Sequence, residues 1–150
     1  FLVDLAATAI ACDSLGLMEA MLEATVAYAK ARQQFGRPIG SFQAVQHACA
    51  DMLVAVQVSR ALVAQAVDAV ASGAPAQERR AAVSRAKSHV GSSAVEVCGK
   101  AVQLHGGVGY TWESGIHAYL KRATLNRVLF GSPEEHRRRL TRSVPGPPSC

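Results

Sequence analysis

At 150 residues the chain is long enough for one domain with a real hydrophobic core. Apolar residues make up 49% but aromatics only 5%, with alanine and valine abundant, which favours helices packed over thin layers of small side chains, an all-α bundle. The net charge of +5 gathers late, at Arg137, Arg138, Arg139 and Arg142; it suits an anionic small molecule or a solvated helix face equally, and with no interleaved aromatics and no recognised module it excludes a nucleic-acid partner.

The pattern predicts one long helix over 1–35. Leu2, Leu5, Ala9, Cys12, Leu15, Met18, Leu22 and Val26 recur at three and four and should face inward, with Glu19, Glu23, Lys30 and Arg32 elsewhere. Gly36 and Pro38 supply the stop. Ser41 is the expected N-cap of a second helix, whose inward stripe is Phe42, Val45, Cys49, Met52, Val56, Val63, Ala66 and Val70, with Ser59 its one polar member. That helix should end at Ser72-Gly73, with Pro75 in the first turn of the next. A third helix carries Val83, Ala86, Val90, Ala94, Val97, Ala101 and Leu104 on one face, and Arg79, Arg80, Arg85, Lys87, Glu96 and Lys100 around the remainder. It runs into Gly106-Gly107-Val108-Gly109, where bare backbone permits close approach.

A fourth segment, about 113–129, turns Ile116, Leu120, Ala123 and Val128 inward and Lys121 and Arg122 outward. Gly131-Ser132-Pro133-Glu134-Glu135 then reads as a capping box that restarts a short basic helix to about Arg142. No strand alternation is evident. The architecture expected is an antiparallel up-down-up-down four-helix bundle with a short extra C-terminal helix, a domain over 1–143 and a loose tail over 144–150. Three of its helices should each be ~45 Å long. The chain opens on Phe1 rather than Met with the apolar pattern already running, which reads as part of something longer.

Cys12, Cys49, Cys98 and Cys150 show no C-x-x-C spacing, and three of them sit in apolar helical patterns; this reads as a reduced, intracellular, cytoplasmic protein. The longest apolar run, Leu5 to Cys12, falls far short of the ~20 residues that span a bilayer, so no membrane partner is expected. No metal is expected either: a carboxylate-bridged site in a bundle needs Glu-x-x-His, and Glu113 and His117 are four apart. Nor does any nucleophile-elbow context surround a serine.

The run Tyr28-x-x-x-Arg32-x-Gln34-Phe35-Gly36-x-Pro38-Ile39-x-x-Phe42-Gln43-x-Val45-Gln46, followed by Ala50-Asp51-Met52, resembles the signature of the C-terminal helical domain of the acyl-CoA dehydrogenase family. So does Gln103-x-x-Gly106-Gly107-x-Gly109-Tyr110, some 70 residues on, and the likeness extends from about Asp4 to Leu140. The resemblance implies a four-helix bundle that follows an N-terminal helical domain and a middle β-domain and builds dimer and tetramer contacts. It implies FAD as cofactor, with Arg32 at the pyrophosphate of a neighbouring subunit, Gln34 and Phe35 lining the same region, and Gln103, Gly106 and Gly107 at the pyrophosphate and adenosine across the dimer interface. The two signatures would thus be halves of one cradle contributed from opposite partners. Phe35 also reads as a plug between helices.

Family chemistry takes a proton from the α-carbon of an acyl-CoA while the β-hydrogen leaves as hydride to flavin. By resemblance the glutamate that takes the proton would fall at Phe130 or, in a minority of members, at Ala6; neither side chain can accept a proton. The nearest acids are Asp4, about 200° around the helix from Ala6, and Asp13, on the same face but about 10 Å along. Asp4 instead matches a family aspartate near the acyl-CoA cleft. The family's Arg-Asp pair after the glycines is here Lys121-Arg122. The reading is an acyl-CoA dehydrogenase-like flavoprotein whose own base is missing. Its partners would be an acyl-CoA, an electron-transfer acceptor, and a homo-dimer, homo-tetramer or hetero-tetramer with a second acyl-CoA dehydrogenase-like subunit that supplies the base. The alternatives are a self-sufficient enzyme using Asp4, Asp13 or an upstream residue, and an oligomerisation module that no longer binds flavin.

Overall fold

The computed structural model describes residues 1–142; the tail expected over 144–150 and the domain boundary before it lie outside the described residues. Three long helices, α1 (Leu2–Ala31), α2 (Gln43–Ala71) and α3 (Ala76–His105), are followed by α4 (Ile116–Val128) and α5 (Pro133–Arg142). The described residues are all-α apart from one two-stranded ribbon, β1 (Gln33–Gln34) and β2 (Arg37–Pro38). α3 packs against α1, α2, α4 and α5 and is the central helix.

That centrality corrects the one-faced reading of α3. Ala82, Val83, Ser84, Ala86, Lys87, Ser88, Val90, Gly91, Ser93, Ala94, Val97, Cys98, Ala101, Val102 and His105 are all buried. Alanine, serine and glycine on the faces away from the valine stripe let neighbours approach from several sides. A Cβ on Gly91 would stand 3.3 Å from the Pro133 ring at the crossing with α5. Lys87, expected outward, is 1% exposed.

On α1 the buried stripe is Ala7, Thr8, Ala11, Ser14, Met18, Met21, Thr25 and Ala29, rotated from the expected one, which shares only Met18. Leu2 and Leu5 point to solvent. The face that packs is the one with the smallest residues, and Thr8 and Ser14 satisfy their hydroxyls on the carbonyls of Asp4 and Ile10, each 2.8 Å away, so small polar residues are tolerated inside. The α2 stripe follows expectation at Met52, Val56, Val63 and Ala66, with Ser59 buried among them. On α4, Ile116 and Ala123 are inward as expected, but Val128 is exposed and Asn126 takes the buried place. By length and composition α1 and α2 could each cross a membrane; here each lays a stripe against α3.

Helix ends follow local chemistry. α1 stops at Ala31 rather than Phe35, because Arg32 adopts an extended backbone (ψ 125°) that starts the ribbon, with Gln33 opposite Pro38 and Gln34 opposite Arg37. Phe35 and Gly36, both with positive φ (54° and 75°), close it as a two-residue hairpin loop. Ser41 does not cap α2; its hydroxyl donates to the Pro38 carbonyl at 2.7 Å within a short 3-10 turn, Ile39–Ser41, and Phe42 occupies the cap position. Before α5 the capping box forms as expected: Ser132 N–H donates to Glu135 Oε2 at 2.6 Å, and Glu135 N–H donates to Ser132 Oγ at 3.2 Å.

Candidate functional site

The two motif runs, some 70 residues apart in the chain, meet at one end of the α1–α3 pair. Tyr28 and Arg32 lie one turn apart near the end of α1, and α3 delivers Gln103 and His105 just before its C-cap, Gly106. The Tyr28 and His105 rings stack at 4.4 Å, and Tyr28 Oη lies 3.4 Å from the His105 carbonyl, which ties the two helix ends together. His105 Nδ1 sits 2.8 Å from the Ala101 carbonyl. A carbonyl only accepts, so Nδ1 carries a proton.

Between these ends lies a shallow cavity of about 400 Å³ lined by Arg32, Gln34, Gln103, Gly106 and Gly107 together with Tyr28 and His105. Arg60, Arg79 and Arg122 are each committed to an acid, at Glu19, Asp4 and Asp13, whereas no acid pairs with Arg32 among the described residues. An unpaired guanidinium beside bare glycine backbone suits phosphate oxygens. Both runs border this one cavity within a single chain.

The glycines of the 3-10 turn Gly106–Tyr110 divide by cause. A Cβ on Gly109 would stand 2.6 Å from the Val102 carbonyl oxygen, and Gly106 has a φ of 60°, so the chain itself demands both. Gly107 has neither reason: its Cβ would meet no atom of this chain within 4 Å. Its bare backbone faces outward from the cavity rim, where a second molecule can come close.

Phe35 does not line the cavity, and it is no plug either. Its ring is 90% exposed at the hairpin tip, edge-on to Phe42 at 6.1 Å. A phenylalanine with left-handed backbone costs of order 1 kcal/mol, and such strain persists where surrounding structure imposes it. Tyr28 and His105 were not assigned a role from the sequence, although Tyr28 stands four residues before Arg32 and therefore on the same helix face.

The acids weighed as bases are both engaged. Asp4 pairs with Arg79 at 3.0 Å, the two side chains only 13% and 11% exposed. Asp13 accepts from Arg122 Nε at 3.0 Å and from Asn126 Nδ2. Asp4 also borders a larger cavity, about 820 Å³, with Phe1, Arg80, Arg139 and Arg142, remote from the motif residues. Lys121 sits over the Trp112 ring at 5.4 Å. Burial pushes the thiols of Cys12 and Cys49 up and that of Cys98 to about 11, which keeps them in the unreactive thiol form.

Comparison with known proteins places this geometry in a family. The family model for the acyl-CoA dehydrogenase C-terminal domain matches residues 3–144. The acyl-CoA dehydrogenase IpdE2 of Mycobacterium tuberculosis is 43% identical over 143 residues, 95% of this chain and 42% of that protein, so the chain spans under half the length of that relative. Two solved structures superpose on it with a TM-score of 0.87. One, the Tcur3481-Tcur3483 steroid acyl-CoA dehydrogenase G363A variant, is 34% identical and is matched over 93% of this chain and 38% of that one. The other, PigA with FAD and proline, is 27% identical over 93% of this chain and 36% of that one. The chain belongs to the acyl-CoA dehydrogenase family, whose C-terminal helical domain it forms.

Proposed function

We propose that this chain forms one wall of the FAD site of an acyl-CoA dehydrogenase-like flavoprotein that introduces an α,β double bond into an acyl-CoA thioester, with residues 1–143 as the folded domain. One observation carries the reading: Arg32, Gln34, Gln103, Gly106 and Gly107 border one cavity, and Gly107 has no explanation in the chain's own packing. When bound, FAD would take the β-hydrogen as hydride and pass electrons to an external acceptor. Arg32 would grip pyrophosphate oxygens two at a time, Gln34 and Gln103 would orient the diphosphate, and the Gly106-Gly107 backbone would approach the adenosine. Since both runs lie on one chain, this chain presents the whole cradle to a cofactor held mainly by its partner, with exposed Phe35 reaching toward that partner.

The α-proton must go elsewhere. Phe130 and Ala6 cannot accept it, and Asp4 and Asp13 are held by Arg79 and by Arg122 and Asn126. The base is then supplied by a second acyl-CoA dehydrogenase-like subunit in a hetero-tetramer. The similarity to the Tcur3481-Tcur3483 steroid acyl-CoA dehydrogenase supports that assembly and points to a bulky polycyclic acyl group. The protein is proposed to be cytoplasmic, with no nucleic-acid or membrane partner. The test is to co-express the full-length protein with an adjacent dehydrogenase-like gene, record the flavin absorbance band, and assay acyl-CoA oxidation with an artificial acceptor. Flavin and turnover should require both chains, and Arg32→Ala should lower flavin retention at least tenfold, as for a lost charge-assisted pair. Turnover by the lone full-length protein sinks the missing-base reading.

A second reading, an oligomerisation module without flavin, is favoured by the apolar face of α2, where Leu53, Val54, Val58 and Val67 are 39–62% exposed. A colourless complex that still assembles would select it.

A further inference from the structure

The turn between α4 and α5 holds a backbone conformation that an ordinary side chain resists. Phe130 has φ of 58° and Gly131 of 109°. Lys87, reaching across from α3, is 1% exposed, and its Nζ donates to three carbonyl oxygens: Asn126 at 2.8 Å, Arg127 at 3.2 Å and Gly131 at 3.2 Å. An ammonium has three N–H donors, and each finds an acceptor here. Two of those carbonyls belong to the last turn of α4, where the helix dipole favours a cation. The third belongs to the turn.

His136 of α5, also 1% exposed, grips the neighbouring carbonyl. Its Nε2 lies 3.1 Å from the Phe130 oxygen and its Nδ1 3.2 Å from Ser84 Oγ on α3. The carbonyl can only accept, so Nε2 bears the proton and Nδ1 accepts from the serine hydroxyl, which fixes the neutral tautomer. A Cβ on residue 131 would stand 2.8 Å from that Nε2, so glycine is what lets the imidazole close over the turn. The Phe130 ring takes no part in the holding. It is 48% exposed, and Leu125 and Val128 of α4 are 49% and 60% exposed.

Two buried polar side chains thus fix two consecutive carbonyls of a strained turn whose own side chain projects outward. We infer that Lys87 and His136 are positioning residues for Phe130, holding its ring as an apolar wall of the acyl-thioester cleft. The wall role rests on the proposed function; the holding role does not.

The test places 4-fluorophenylalanine at position 130 and reads its fluorine resonance in the otherwise unaltered chain. One narrow line is expected, and Lys87→Met and Ser84→Ala should each shift it by more than its width or split it. Val56→Ala, a core truncation on α2, should cost stability and leave the line in place, which separates positioning from general destabilisation. A line unmoved in a folded Lys87→Met chain, or moved as much by Val56→Ala, overturns the inference. Should Lys87→Met not fold, Ser84→Ala decides by the same criterion, because it only unlocks the imidazole. In the co-expressed flavoprotein, Phe130→Ala should change the KM for an acyl-CoA roughly tenfold with flavin retained. An unchanged KM overturns the wall role alone, and a flavin-free complex with the fluorine result intact overturns the cofactor reading alone.

Discussion

Gly107 and Gly109 are two residues apart and answer to different demands, and substitution separates them. Gly109→Ala forces a Cβ to 2.6 Å from a backbone oxygen, so it should lower the melting temperature of the chain by several degrees. Gly107→Ala meets open space and should leave the melt unchanged while reducing flavin retention in the assembled protein. Equal losses of stability from both would remove the main support for a cradle. The buried hydroxyls of Thr25 and Ser59 have no hydrogen-bond partner in the structure. Ser59→Ala and Thr25→Val should therefore stabilise the chain by about 1 kcal/mol each, read from urea midpoints, because an unpaired buried hydroxyl costs more than the apolar atom that replaces it. At this scale the sequence misleads where polarity and burial part company. Lys87 reads as a solvated helix charge, and only the three carbonyls that meet it explain why a cation lies inside.

Among the elements, those with local causes were legible. The capping box before α5 rests on residues three apart, and Ser132→Ala should cost about 1 kcal/mol and fray α5 first, visible as faster amide exchange there than in α3. Its loss should also loosen His136, which lies in the second turn of the same helix. The hairpin after α1 was not legible. Two-residue strands have no alternation to detect, and Phe-Gly is not the Asn-Gly or Asp-Gly pair that advertises such a loop. The rotated face of α1 escaped for another reason. Leucine dominates a periodicity count, yet close packing against a central helix selects alanine, serine and threonine, which leaves Leu2 and Leu5 outside.

For the molecule as a whole, burial of histidines sets a pH dependence. Burial pushes the pKa of His136 and His89 below the ordinary 6.5, so below that value the unfolded chain binds more protons than the folded one. Stability should then fall as pH drops below about 6.5, with urea midpoints lower at pH 5.5 than at 7.5; a flat profile would contradict it. Lys87, lowered by burial from 10.5 to about 8, has the same sign in its own window: stability rises between those values as the burial penalty on the charge is relieved. The sequence by itself determined the helical class, the number and order of the helices, most of their breaks and the family, because period, caps and motif spacing are written in residues a few positions apart. The tertiary structure alone decided that α3 is central, that Arg32 and Gly107 share one cavity of a single chain, and that Lys87 and His136 grip the Phe130 turn. Those facts depend on contacts between residues about forty to eighty positions apart, and small side chains carry no directional signal of which neighbour will cover them.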